Sequence, residues 1–159
     1  MNEHLLKLAN LYRLRNALAG LAGNAGQYWR GQRRVQGSSH VPPDHRDVPR
    51  LMEEYCAQVE QRRRLDEPAG AASFALWRLL WIPPFPDGNG RVARAVCHLV
   101  VRTACDRYPP VNLVLDPLSA DRPPYLAALE AAHCEHRHSG AVPEMGALRT
   151  LVAEAMRAT

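Results

Sequence analysis

The sequence predicts one domain over residues 1–159, of the all-α, mainly α-helical class, with a single short β-hairpin. Three observations carry that reading. Apolar residues recur at three- and four-residue spacing in six segments. Proline- and glycine-rich stretches separate those segments, and only the brief tract Arg33–Gln36 suits a strand, as one arm of a hairpin. With 159 residues, 47% of them hydrophobic, the chain is long enough for one real core and short for two.

Taken in order, residues 2–22 place Leu5, Leu8, Tyr12 and Leu18 near helical spacing. Residues 48–64 place Leu51, Tyr55 and Val59 four apart, behind Asp47 as the expected cap. Between these helices runs the loop YWRGQRRVQGSSHVPPDHRD, whose Gly, Ser and Pro content forbids a long helix. A strongly apolar helix is expected over residues 70–81, ended by Pro83 and Pro84, because the residue before a proline leaves the helical region. After the GNG turn, RVARAVCHLVVRTACDR should be helical with Val92, Val96, Leu99 and Val100 inward. The crossing YPPVNLVLDPLSADRPP leads to two more helices, PYLAALEAAHCEHRH and PEMGALRTLVAEAMRA.

Twenty basic residues against 16 acidic ones give a mildly basic chain, with arginine at every basic position except Lys7. The charge is spread over several segments, and RGQRR and QRRRLDE read as solvated faces, so nucleic acid is not the expected partner. No run of eighteen apolar residues occurs, and the N-terminus alternates charge with leucine, so neither a membrane span nor a signal peptide is expected and the expected compartment is the cytosol. The cysteines Cys56, Cys97, Cys105 and Cys134 form no C-x-x-C pair and read as reduced thiols. His133, Cys134, His136 and His138 have spacings that can chelate a metal on a helix, but no distant ligand completes a set, and histidine suits a helix C-terminus anyway.

The chemistry concentrates in WIPPFPDGNGRVAR, residues 81–94. A helix that begins at GNGR presents backbone N–H groups and the positive end of its dipole, and its glycines let an anion approach the backbone. Arg91 and Arg94, three apart, share a face and lean toward that N-terminus. Asp87 is the one acid there, suited to a magnesium ion that also meets phosphate oxygens, and Asn89 adds an amide donor. Together these describe a site for a di- or triphosphate without the G-K-[ST] ending of a P-loop.

FPDGNGRVAR resembles the signature of the Fic family (Fido fold), H-x-F-x-[DE]-G-N-G-R-x-x-R, through Phe85, Asp87, Gly88, Asn89, Gly90, Arg91 and Arg94. The segment from Gly26 to Tyr55 is similar to that family's G-x-Y-R segment, flap and following helix, and RPPYLAALEAA resembles its post-motif helix, so the likeness runs from about residue 5 to 155. The resemblance implies transfer of AMP from ATP, with magnesium, to a hydroxyl of a target protein. Asp87 would bind magnesium, Asn89 and the amides around Gly88 and Gly90 would hold the α and β phosphates, and Arg91 and Arg94 would grip the remainder. Phe85 would anchor the loop in the core. A flap of Val35, Gln36, Gly37, Ser38, Ser39, His40 and Val41 would align a segment of the target by main-chain pairing.

The departure is Pro83, which stands where the family has the histidine that accepts the hydroxyl proton. A positioned general base is worth about 10²–10⁴ in rate, so adenylylation should be degenerate here even with the nucleotide bound. Three readings stay open: a nucleotide-binding protein whose transfer reaction is lost, a transferase whose acceptor is already deprotonated, and a non-catalytic interaction module. Among substitutes for the base, His98 starts about 12 Å along the helix from Gly90 and is out of reach, His40 would have to swing over the site, and Asp87 would have to give up its metal. Thr150 and Glu154 partly match the family's self-inhibitory [ST]-x-x-x-E-[GN] helix, but Ala155 breaks it, and a surface pair is the preferred reading.

Overall fold

The computed structural model describes residues 28–31, 34–35, 38–104, 118 and 123–157. They form five helices: α1 (Val48–Leu65), α2 (Pro68–Trp81), α3 (Asn89–Ala104), α4 (Pro123–Ser139) and α5 (Gly146–Arg157). The helix expected over 2–22 and most of the crossing 108–124 lie outside the described residues.

Helix α2 is the centre. It packs against each of the other four helices and buries Ala69 to Trp77 and Leu79, as expected of a helix apolar all round. It starts at Pro68, two residues earlier than residue 70, where the apolar run placed it. Pro68 stands in the first turn, where its missing N–H costs nothing, and the Glu67 carboxylate accepts the Ala69 N–H at 2.8 Å. The same carboxylate receives Arg149 of α5 at 2.8 Å, so the cap also ties the last helix down. At the other end the Ile82 N–H reaches the Arg78 carbonyl at 3.0 Å before the two prolines stop the helix.

Helix α1 lays Val48, Leu51, Met52, Tyr55 and Val59 on α2, and the Tyr55 hydroxyl donates to the Ala75 carbonyl at 3.0 Å. Asp47 precedes α1 but does not cap it with its side chain; its carboxylate instead lies 3.6 Å from Arg50. Helix α3 turns Val92, Val96 and Val100 inward as expected, but Leu99 is only half-buried. Ala93, Cys97 and Val101 complete the buried face instead, which is therefore rotated slightly from the one the leucine suggested. Burial pushes the Cys97 thiol up to about 12 and the Cys56 thiol up to about 11, so both are protonated at neutral pH.

The all-α class holds, and no strand occurs among the described residues. The expected hairpin arm, residues 33–36, is only partly described. At its end the Ser38 N–H reaches the Val35 carbonyl at 3.3 Å. Residues 38–44 then run as irregular chain into α1. No described helix is long and apolar enough to cross a membrane.

Candidate functional site

The loop between α2 and α3 is built from its own residues. Phe85 is 1% exposed and plugs into the core, a burial worth about 2–3 kcal/mol. The Asn89 side chain clamps it: its Oδ1 accepts the Phe85 N–H at 2.9 Å, and its Nδ2 donates to the Phe85 carbonyl at 2.8 Å. The side chain expected to reach phosphate is thus turned inward and shapes the loop. Gly88 has φ +80°, a conformation that favours glycine, and its carbonyl accepts the first helical bond, from the Val92 N–H at 3.0 Å. The N–H groups of the first turn of α3 have no intrahelical carbonyl to meet.

The two arginines sit at that mouth in different ways. Arg91 is exposed and donates to Asp87 at 3.1 Å, so the acid read as a metal ligand is paired in this structure. Arg94 is half-buried and folds back over Gly90: a Cβ on Gly90 would lie 3.2 Å from its Nη1. With glycine at 90 the guanidinium lies against the first turn without a tight Cβ contact. Burial raises the pKa of Tyr125, in α4, to about 12, and the nearby Arg94 charge pulls the other way. The phenol stays neutral beside the cation.

Pro83 and Pro84 are both buried, and the Trp29 N–H reaches the Pro84 carbonyl at 3.1 Å. An open cleft of about 1130 Å³ is lined by Trp29, Arg34, Val35, His40, His45 and Arg46 among others, and by no residue of 83–94. His98 is buried on α3 with its pKa lowered by burial, then by Arg102.

The flap is held where residue order gave little warning. Gln36 and Gly37 lie outside the described residues; Val41 is 78% exposed. The Ser38 hydroxyl donates to Glu130 of α4 at 3.1 Å, the Ser39 hydroxyl donates to the same carboxylate, and Arg137 donates to Ser39 at 2.8 Å. His40 does not swing over the site. It is 7% exposed, its Nε2 sits 2.8 Å from the Trp81 carbonyl, and its ring stacks on His133 with centroids 4.4 Å apart and planes 5° from parallel. A side chain stacked on one face and hydrogen-bonded at its ring nitrogen is a buried anchor, which argues against its serving as substitute base.

The side chains of HCEHRH face different neighbours. His133 faces His40, Cys134 faces Glu130 at 3.9 Å, His136 lies edge-on to Trp77 and Trp81, and His138 reaches the Cys134 carbonyl at 2.7 Å. No group of three metal-ligating side chains converges among the described residues. Thr150 and Glu154 are exposed on α5, and the Thr150 hydroxyl donates to the Gly146 carbonyl at 3.0 Å, as a surface pair would. Sequence reasoning missed Glu130, His133 and Arg137 as the flap's partners. Their one legible signal was the crowding of polar residues on a single helix, which carries no hint of what it faces.

Comparison with known proteins places these features. The model of the Fic/DOC family matches residues 5–101. The "Protein adenylyltransferase Fic" of Drosophila mojavensis is 38% identical over 88 residues, which cover 54% of this chain and 16% of that protein. Its namesake in Aedes aegypti is 36% identical over 87 residues, 54% of this chain and 17% of that one. The chain therefore matches about one sixth of the length of these relatives. A Fic family protein from Desulfovibrio desulfuricans G20 superposes with a TM-score of 0.67 at 23% identity, covering 96% of this chain and 48% of its own. A Fic domain containing signaling protein from Bacteroides thetaiotaomicron VPI-5482 gives 0.64 at 16% identity, covering 96% and 57%. At such identities the likeness is one of fold.

Proposed function

Because this chain belongs to the Fic/DOC family, we propose that residues 83–94 form a polyphosphate site for a nucleotide such as ATP, and that Pro83 strongly impairs AMP transfer from it. The observation that carries the reading is the mouth of α3, where a glycine turn opens onto first-turn N–H groups and Arg94 is folded back over Gly90. Anion binding at a helix N-terminus needs donors and positive charge without steric cover, and this mouth has all three. The curated relatives carry the name adenylyltransferase, which supports ATP as the nucleotide.

Magnesium fits the residues present. Its usual protein share is one or two carboxylates with phosphate oxygens completing the shell, and Asp87 offers one exposed carboxylate beside the mouth. Magnesium bound there would neutralise phosphate charge; Asp87 would exchange its partner Arg91 for the ion, leaving Arg91 to the phosphates.

In the transfer itself, a target hydroxyl oxygen would form a bond to the α-phosphorus, the bond to the bridging oxygen of the β-phosphate would break, and pyrophosphate would leave. The hydroxyl proton needs an acceptor. Pro83 has no side-chain acceptor and His40 is held elsewhere, so a serine, threonine or tyrosine target should react about 10²–10⁴-fold more slowly than with a positioned base. An acceptor already deprotonated, such as a phosphate or carboxylate, would escape that penalty. The exposed flap edge around Val41, beside the cleft, is where a target segment would dock.

The test is transfer of label from α-labelled ATP with magnesium in a lysate of the host, with Arg91→Ala as the blank, alongside thermal stabilisation by ATP. Stabilisation without labelling, and labelling that appears in Pro83→His, is the expected result. Absence of any ATP stabilisation would overturn the polyphosphate reading, and wild-type labelling that vanishes in the blank would overturn the impairment.

A further inference from the structure

The Ser38–His40 segment is fastened to α4 and to the end of α2 by contacts that span 41 to 98 residues of chain. Two of the groups are imidazoles laid face to face, and both are buried: His40 and His133 are each 7% exposed. The Trp81 carbonyl can only accept, so His40 carries a proton on Nε2 in this contact. His133 Nδ1 is buried without a hydrogen-bond partner. A charged His133 would need that nitrogen to donate, and nothing there receives it.

We infer that this stack is a latch on the flap that acid releases. Closing the latch requires two neutral rings; adding a proton to either puts a cation into a site that cannot solvate it. The charged and titratable groups facing the pair come from α4: Glu130 favours protonation, while Arg137 and His136 oppose it. From α2 come only the Trp81 carbonyl and the Trp77 and Trp81 rings. Glu130 cannot rescue a charged ring cheaply, because its carboxylate already receives Ser38 and Ser39 and is held below the usual range chiefly by Ser39.

The sign follows. Burial lowers the pKa of both rings, that of His133 to about 4 from the ordinary 6.5. The latch is at full strength above pH 6.5 and weakens as pH falls toward 4, because the open flap binds protons that the closed one refuses. For His133 alone the opening equilibrium should rise about 30-fold between pH 7.5 and 5, and His40 adds in the same direction. That release frees the flap to accept or shed a docked segment; this last role rests on the reading of residues 35–41 as target-aligning, whereas the latch does not.

The experiment needs no activity. On the full chain, NMR would follow the ring carbons of His40 and His133 through a pH titration, together with the exchange protection of the His40 amide, which donates to the Ser38 hydroxyl at 3.1 Å. The expected result is a His133 ring that stays neutral below pH 6, a His40 ring that titrates below its ordinary value, and a protection factor that falls at least 30-fold by pH 5. In His133→Phe, which keeps an aromatic face and cannot charge, the fall should shrink to the share of His40. Rings that titrate near 6.5 with protection unchanged would overturn the latch, as would an undiminished fall in His133→Phe. Should that variant fold poorly, the wild-type titration decides alone. A latch that opens as described in a protein that never pairs with a target segment would sink the flap reading and leave the latch standing.

Discussion

The α2–α3 loop and the flap both meet the end of α2, where His40 reaches the Trp81 carbonyl, yet they are held in opposite ways. The loop is closed by residues four apart: Asn89 on Phe85, Arg91 on Asp87, Arg94 on Gly90. The flap is closed by Glu130, His133 and Arg137, about ninety residues downstream. Local closure costs little chain entropy and persists wherever α3 persists. Distant closure depends on α4 keeping its place and on the protonation of two rings. A binding site that must be present at all times suits the first arrangement, and a part that must open suits the second.

The sharpest way to break that contrast is Asn89→Ala. It removes both Asn89 hydrogen bonds from the buried Phe85 backbone, at about 1–3 kcal/mol for each group. Urea unfolding should therefore show a loss of about 2–5 kcal/mol together with loss of ATP stabilisation, because the loop collapses as a unit. A small loss of stability would mean that the loop is held from outside after all.

Next is pH. Because the folded pKa of His133, about 4, lies below the ordinary 6.5, its contribution is complete above pH 6.5 and disappears as pH falls to 4. The full shift corresponds to at most about 3 kcal/mol, and opening of the flap limits how much of it reaches the whole fold. Unfolding curves between pH 7 and 4 should show this slope flattened in His133→Phe, while the inward turn of Asn89, which involves no titrating group, stays unaffected.

Glu130→Gln is milder. It keeps one acceptor for the flap serines and removes the charge, for a loss of about 1 kcal/mol, read as faster exchange at the His40 amide with no change in ATP affinity. Changed ATP affinity would show that the loop and flap are coupled more closely than their contacts suggest. Smallest in stability is Asp87→Asn. The pair with Arg91 is exposed on both sides, so unfolding should shift by less than about 0.5 kcal/mol, while magnesium-dependent ATP binding weakens.

Residue order by itself determined the five described helices and the place of the loop between α2 and α3. Periodic apolar spacing, the prolines after Ile82 and the run DGNGRVAR are local signals, and local signals survive being read one residue after another. Asn89 shows what such reading leaves out even at short range: the amide read as an anion ligand also hydrogen-bonds the Phe85 backbone. Only the tertiary structure decided what His40, Glu130 and His133 do. Their partners come from segments tens of residues apart, and which faces meet depends on how α2, α4 and α5 pack around one core. A histidine in a loop and a histidine on a helix carry no mark in sequence that they will stack; burial brought them together, and burial is a property of the whole fold.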